Sequence, residues 1–313
     1  MDKQPLHITN GDHLANKLSE LDIQGVKLTW QEILCEGPTT QKVGSELFLE
    51  TRKTFFSDFY NIDLDLEFIK SELDKLNEWK DYSEIILWFE YDLFCHINMI
   101  AVISLIQQRK IELPIFLVCS GRIEGSKKLI GLSELSTEQL IHHYENKVLL
   151  NKEDIDIATT VWGIYCGVDH NLLKPFIIKS SSFAYLSNCL KAHLKRFPDS
   201  IDGLNTLERN ILKIINEYGI TTKNQLLGYA LNYQGFYGYG DLQLSRMIDE
   251  LSIFYNVSED KIELNRKGHE ALLGQYNFAK EIDNNLVFGG VKKIAFQFNK
   301  AENKLVKSVF NAN

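Results

Sequence analysis

Residues 84–92 decide the fold, and they read Glu84-Ile85-Ile86-Leu87-Trp88-Phe89-Glu90-Tyr91-Asp92. Five apolar residues in a row would be apolar on both faces of a strand, which is typical of a strand buried inside a parallel sheet. A helix is predicted to follow directly, from Leu93 to Gln108. A buried strand that ends in acidic residues and leads into a helix indicates an α/β domain.

Three other segments are predicted to be strands, at Leu6–Thr9, Val26–Trp30 and Pro114–Cys119, and the last of them is also expected to be buried. Helical patterns separate all four, including two predicted helices at 45–60 and 64–79. Alternating strands and helices predict a doubly wound α/β domain with a mainly parallel sheet and helices on both faces. We assign this domain to residues 1–125.

The remaining chain is predicted to change character twice. Residues 126–198 contain helical patterns and no convincing strand. Residues 199–313 contain three predicted helices, at Leu207–Tyr218, at about 222–231 and at Asp241–Phe254. A short strand and a turn come next, which is the order of elements in a winged helix, and a β-rich tail is predicted at about 286–298. The core faces of this part are predicted to be Leu207, Ile211, Leu212 and Ile215 on the first helix, and Leu242, Met247, Ile248 and Leu251 near the third.

Charge and cysteine usage exclude several classes of protein. The 313 residues carry a formal net charge of −8, which is unsuited to coating nucleic acid or a membrane surface. The five cysteines are widely spaced and form no C-x-x-C pair, so a disulfide framework or a structural zinc site is not expected. The polar amino terminus does not indicate a secretory signal, and charged residues interrupt the most apolar stretch. A cytoplasmic protein is the prediction.

Polar residues follow each predicted strand of the first domain, where open α/β sheets bind their ligands. We therefore predict a ligand site for a small molecule at this edge of the sheet. Its candidate residues are Asn10, Gly11, Asp12, Glu36, Gly37, Glu90, Asp92, Ser120 and Arg122.

Several of these residues also have a purely structural interpretation. Asp12 and Asp92 each stand where the N-cap of a helix is expected, and Glu36-Gly37-Pro38 is compatible with a plain turn. Glu90 follows a buried strand, so its carboxylate needs a partner. Arg122 is the candidate partner, and their pairing could be only structural.

The acidic residues of this edge bear on which ligand it can bind. Asn10-Gly11-Asp12 precedes a helix, and helix N-termini bind anions such as the phosphates of a nucleotide. The sequence lacks both common phosphate-loop motifs, and its carboxylates would repel a bare phosphate. A divalent cation such as Mg²⁺ would reverse that repulsion. No motif assigns catalytic residues or a reaction.

The alternative hypothesis is a nucleic-acid-binding or regulatory protein that uses the winged-helix-like part. The third helix of that part carries one basic residue, Arg246, and three acidic residues, Asp241, Asp249 and Glu250. This excess of negative charge disfavours contact with phosphates. The aromatic loop Tyr233–Tyr239 is predicted instead to pack on a neighbouring domain or a second subunit. The C-terminal domain as a whole is a candidate surface for a homo-oligomer or a protein partner.

Three motifs resemble a bacterial family of unknown function, numbered eighteen thirty-five. They are His7-Ile8-Thr9-Asn10-Gly11-Asp12, Glu36-Gly37-Pro38 and Leu87-Trp88-Phe89-Glu90-Tyr91-Asp92-Leu93-Phe94-Cys95-His96. Phe197-Pro198, Gly203-Leu204 and Glu208-Arg209 extend the resemblance along the chain. The chain departs from the family pattern at Tyr91, where the family has His, and at Cys95, where it has Asp. The resemblance implies a bacterial origin and no activity.

Overall fold

The computed structural model describes residues 3–123, 125 and 128–309, and it has a mixed α/β fold. A five-stranded sheet has the order β2-β1-β4-β5-β6. Its strands are β1 (Gln4–Asn10), β2 (Val26–Trp30), β4 (Tyr82–Phe89), β5 (Ile115–Cys119) and β6 (Val148–Leu149). The first four strands are parallel to their neighbours, and β6 is antiparallel to β5. The four predicted strands and the mainly parallel sheet are confirmed.

One expectation about the middle region is wrong, because it contributes β6 to the edge of the sheet. Only two residues of β6 pair, through Phe116 with Leu149 and Leu117 with Val148. A two-residue segment carries no periodic pattern, so the sequence could not reveal it. The predicted boundary at 125–126 includes Ser126, which lies outside the described residues.

Twelve α-helices occur in the described residues. They are α1 (Asp12–Glu20), α2 (Glu46–Tyr60), α3 (Leu66–Asp74), α4 (Leu93–Gln108), α5 (Thr137–Glu145), α6 (Lys152–Tyr165), α7 (Lys174–Ile178), α8 (Leu186–Leu194), α9 (Thr206–Glu217), α10 (Lys223–Tyr233), α11 (Asp241–Glu250) and α12 (Arg266–Leu272). Short 3₁₀ turns extend several of them, among them Lys75–Asp81 after α3 and Leu251–Phe254 after α11. No helix in this described part has both the length and the apolar character needed to cross a membrane.

Alternate residues of the strands enter two separate apolar clusters. Ile85, Leu87 and Phe89 of β4 pack with α2 and α4 on one side of the sheet. Ile86 and Trp88 pack with α1 and α5 on the other side. Because successive side chains of a strand point to opposite faces, the unbroken apolar run of β4 fills both clusters.

The helix α4 begins and ends where the sequence predicts. Asp92 is its N-cap, and its carboxylate accepts a hydrogen bond from the Cys95 backbone N–H at 2.8 Å. Almost every residue of α4 is buried, because α6 and α8 pack against it. A helix that is apolar all round lies in the interior of the protein.

The C-terminal helices form a compact group, in which α9 contacts α10, α11 and α12. Strands β7 (Tyr255–Val257) and β8 (Ile262–Leu264) pair as an antiparallel hairpin, and β8 contacts α9. The predicted core positions of α9 are buried, as are Met247, Ile248 and Leu251. The prediction for Leu242 is wrong: it is exposed, and Leu244 on the opposite face of α11 is buried instead.

The β-rich tail reaches back to the first domain. Its strands are β9 (Val287–Gly289), β10 (Val291–Lys292), β11 (Phe296–Asn299) and β12 (Lys304–Lys307). Strand β9 pairs in parallel with β3 (Gly37–Pro38), so Gly37 lies opposite Phe288. The predicted turn ends at Glu36, and Gly37–Pro38 form a short strand that joins the first domain to the β-rich tail.

Candidate functional site

Strands β1 and β4 are neighbours in the sheet. From β1 the chain continues to β2 on one side, and from β4 it continues to β5 on the other side, so the strand order reverses between β1 and β4. Asn10 ends β1 at this point. Its Nδ2 donates to the Cys95 Sγ at 3.2 Å, and its Oδ1 accepts from Asn98 Nδ2 at 2.8 Å. Two residues of α4 thus hold the end of β1 in place.

Asn98 organises this edge of the sheet, and the sequence prediction missed it. Its amide also donates to the Glu32 carbonyl at 2.7 Å and accepts from the Leu34 N–H at 3.2 Å. These bonds fix the segment that follows β2. The signal was present in the sequence, since a buried amide in an otherwise apolar helix requires polar partners.

Glu90, Asp92 and Cys95 form a cluster that could hold a metal ion. One ligand atom from each side chain lies within 4.8 Å of the others. Burial raises the pKa of Glu90, and it raises the pKa of Asp92 to about 7. Two carboxylates that burial disfavours in the charged form gain stability when a cation neutralises them. Cys95 was not among the predicted site residues.

The predicted ion pair between Glu90 and Arg122 is wrong. The Glu90 carboxylate accepts hydrogen bonds from the backbone N–H and the hydroxyl of Ser133, at 3.3 and 3.4 Å. Arg122 is exposed, and its backbone N–H donates to the Tyr185 hydroxyl at 2.9 Å. No ion pair joins these two described residues. The partner comes instead from Ser133, in a segment that no sequence pattern places at this edge of the sheet.

The structure also corrects the expectation that Asp12 caps α1. Gly11 is the N-cap, with φ of 95°, a conformation that favours glycine, and no side chain caps the helix. Asp12 is exposed and accepts a hydrogen bond from the Gln31 side chain. The backbone N–H groups of the first turn of α1 are therefore left without a side-chain acceptor.

Glu36 belongs to a different cluster from Glu90 and Asp92. Its fully buried carboxylate accepts from Arg246 Nη2 at 2.8 and 3.0 Å and from the Tyr60 hydroxyl. Gly37 has φ of +81°, and a Cβ there would lie 2.5 Å from the ring of Phe55. Glu36 therefore joins the first domain to α11, and Gly37 allows the close approach of α2.

Ser120 is buried at the end of β5, next to Glu90 at the end of β4. The strand register pairs Phe89 with Cys119, so the two following residues lie side by side along the same edge. The Ser120 hydroxyl has no hydrogen-bond partner among the described residues. A buried hydroxyl without a partner is costly.

A cavity of about 400 Å³ opens beside the ends of β1 and β2. Its polar lining consists of Asn10, Gly11 and Gln31 together with two acidic residues, Glu32 and Asp65. Its apolar wall comes from β2, α2, α3 and α4, and consists of Trp30, Ile33, Phe56, Leu64, Phe68, Ile69 and Phe94. The sequence prediction missed this wall, because apolar residues at helical spacing look the same whether they line a cavity or fill a core.

The second half of the aromatic loop at 233–239 packs against the first domain, as predicted, whereas Tyr233 at its start is exposed. The carbonyls of Phe236 and Tyr237 accept hydrogen bonds from the backbone N–H groups of Leu93 and Phe94, at 2.8 and 3.2 Å. A Cβ at Gly238 would lie 2.1 Å from the Asp92 carboxyl carbon. The loop therefore covers the first turn of α4 and the Asp92 side of the metal-binding candidates.

Comparisons with known proteins add little to this geometry. No family model matches the chain, and no curated protein matches it. Among solved structures, the DNA-binding, cleavage and re-ligation domain of Plasmodium falciparum topoisomerase II is similar over 79% of this chain, with 14% identity and a TM-score of 0.44. This chain covers 42% of that structure. A likeness this weak indicates no shared function.

Proposed function

We propose that this protein binds a small molecule, a nucleotide or another phosphate-containing compound with a flat ring, at the carboxyl ends of β1, β2 and β4. The observation that carries the proposal is the cavity of about 400 Å³. It lies at the edge where open α/β sheets bind ligands. Its volume is within the range of about 300–1,000 Å³ that small-molecule sites occupy.

The two walls of the cavity match the two parts of such a ligand. The rings of Trp30, Phe56, Phe68 and Phe94 offer apolar surface to a flat ring. On the other wall, Gly11 begins α1 without a capping side chain, so backbone N–H groups remain to receive an anionic group. The side-chain amides of Asn10 and Gln31 lie in or beside this polar wall.

A divalent cation is part of the proposal. Asp12, Glu90 and Asp92 would repel a phosphate at this edge of the sheet, and a bound cation would reverse the repulsion. Glu90 and Asp92 offer the oxygen ligands that Mg²⁺ prefers. Cys95 adds a thiol, which favours a softer ion such as Zn²⁺ over Mg²⁺.

Filling the cavity tests the proposal. Leu64 lines it and is only partly buried, so Leu64→Trp adds a ring to the cavity with little disturbance of the core. We expect a mononucleotide with Mg²⁺ to raise the Tm of the unmodified protein, and we expect Leu64→Trp to bind it at least about tenfold more weakly. A ligand at a hundred times its Kd adds about 2.7 kcal/mol to the free energy of unfolding. Thermal unfolding and isothermal titration with ATP, GTP and their monophosphates, with and without MgCl₂ or ZnCl₂, measure both effects.

Leu47→Trp is the matched control, because Leu47 is exposed on α2 and does not line the cavity. It should bind as the unmodified protein does. Equal binding by Leu64→Trp, or no binding of any of these nucleotides with either metal, contradicts the proposal. If MgCl₂ and ZnCl₂ leave nucleotide binding unchanged, the divalent cation is not part of the site.

Two finer features of the architecture belong to the same proposal. We propose that the N-terminal sheet is doubly wound, supported by the two apolar clusters on its opposite faces. We propose that residues 203–275 are a winged-helix-like module for packing rather than for binding DNA. Arg246, the only basic residue of α11, points into the protein toward Glu36, and Asp241 and Asp249 remain exposed. The motifs quoted above support a relationship to the bacterial family they resemble, and the five free cysteines support a cytoplasmic location.

A further inference from the structure

A second concave surface, separate from the proposed ligand cavity, lies between α10 and the first domain. This groove has a volume of about 890 Å³ and shares no lining residue with the cavity beside β1 and β2. One wall is α10 with the loop that follows it. The other wall includes Tyr91 and Glu134.

Tyrosine rings dominate the α10 wall. Tyr229 and Tyr233 lie one helical turn apart, with ring planes only 11° from parallel and centroids 6.2 Å apart. Tyr218, which directly follows α9, packs on them, with its ring centroid 5.0 Å from that of Tyr229. Tyr233 is 56% exposed. Exposed aromatic rings that line a groove are typical of a binding surface.

The opposite wall carries an exposed carboxylate that faces the tyrosine side. Glu134 is exposed and lines the groove together with Tyr91 and Lys128. A carboxylate at the rim of an aromatic groove attracts a positively charged ligand.

Gly228 lies on the floor of the groove, in the middle of α10. Glycine in a helix interior is less stable than alanine. A Cβ at this position would meet no atom within 4 Å, so no packing requirement within the described structure explains the glycine. Its missing side chain leaves room for a ligand to approach the helix backbone beside Tyr229.

We propose that this groove binds an organic cation, such as a protonated amine or a quaternary ammonium group, between the tyrosine faces of α10 and the Glu134 carboxylate. The negative face of an aromatic ring attracts a cation, and quaternary ammonium groups are commonly bound by several aromatic rings together. The negative faces of the tyrosine rings, together with the Glu134 carboxylate, set the sign of the ligand's charge. The proposal is independent of the nucleotide site.

Choline and spermidine are the probes, and 3,3-dimethylbutanol is the uncharged analogue of choline. We expect NMR titration to show saturable binding of at least one of the two cations. If choline binds, the uncharged analogue should bind at least about tenfold more weakly; if only spermidine binds, higher salt should weaken its binding. Tyr233→Leu should weaken binding by about tenfold, and Glu134→Gln, which keeps the acceptor for the Gly131 N–H, by about threefold or more. Unaltered binding in both variants, equal binding of the uncharged analogue, or no binding of either cation overturns the proposal.

Gly228→Ala separates a binding role from a structural one. We expect it to raise the Tm by about 1–2 °C, because alanine favours the helix, and at the same time to weaken binding of the cation by about fivefold or more. The matched control is Gly163→Ala in α6, where a Cβ also meets no atom within 4 Å. It should raise the Tm similarly and leave binding unchanged. Gly228→Ala that binds as well as Gly163→Ala contradicts the proposed role of this position. Leu64→Trp should bind the cation normally, so failure of the nucleotide site would not affect this result.

Discussion

Replacing Arg246 with methionine is expected to lower the free energy of unfolding by about 3–5 kcal/mol, because it leaves a buried carboxylate without its cation. The Glu36 side chain is 0% exposed, and the Arg246 side chain is 16% exposed. Arg246 Nη2 lies 2.8 Å from one Glu36 oxygen and 3.0 Å from the other. Its guanidinium also lies over the Phe59 ring, with 4.7 Å to the centroid. Urea unfolding at pH 7, followed by circular dichroism, measures the loss.

The double variant Glu36→Gln/Arg246→Met tests the stated cause. Glutamine can still accept from the Tyr60 hydroxyl, and it carries no charge to bury. Much of the lost stability should return, since a buried pair can often be replaced by uncharged groups at little cost. A loss below about 1 kcal/mol in the single variant, or a double variant less stable than the single one, would show that the charge of Glu36 is not what Arg246 neutralises.

The sheet and its central helix could be predicted because their signals are local. Four apolar runs gave four strands, and Asp92 marked the start of α4 through a bond to a residue three positions away. The pairing of Glu36 with Arg246 spans 210 positions in the chain. No periodicity or spacing encodes a partner at that distance, so Glu36 was assigned to the strand ends on its position alone.

The same reason explains which site residues were found. Asn10, Gly11, Glu90 and Asp92 lie at strand ends, and topology brings them to one edge. Asn98 and Cys95 reach that edge from α4, which the sequence presents as a plain apolar helix. The partner of Glu90 comes from Ser133 in an irregular segment, where a sequence pattern offers nothing to interpret.

A buried chain of hydrogen bonds in the middle of the protein leads to the second large effect. His170 Nε2 donates to the Tyr165 carbonyl at 2.9 Å, so its Nδ1 is free to accept from His193 Nε2 at 2.8 Å. His193 Nδ1 then accepts from Arg196 Nη2 at 2.6 Å. Each ring nitrogen is used once, and this assignment requires both histidines to be neutral. A proton added to either ring would break one of these bonds and place a second positive charge near Arg196.

Acid is therefore expected to weaken the fold through these two histidines. Burial lowers the pKa of His170 from 6.5 to about 4, and burial together with Arg196 lowers the pKa of His193 well below 6.5. The unfolded chain binds these protons more readily than the folded chain, so their stabilising contribution is fully present above pH 6.5 and is lost as the pH falls toward 4. For His170 the loss reaches about 3 kcal/mol at pH 4, and His193 adds to it.

The comparison of variants isolates this effect from the buried acids, which act in the opposite direction. The raised pKa values of Asp92 and Glu90 make the folded chain bind protons first, so these groups favour the fold as the pH falls. The variant His170→Gln/His193→Gln keeps hydrogen-bonding groups but cannot take up the two protons. The free energy of unfolding of the unmodified protein should fall between pH 7 and pH 4, and that of the double variant should fall by a smaller amount. We expect the two decreases to differ by at least about 3 kcal/mol, whatever the stability of the variant at pH 7. His142→Gln, at an exposed position on α5, controls for substitution of a histidine elsewhere. Parallel pH profiles for the double variant and the unmodified protein would show that the two rings do not carry the acid sensitivity.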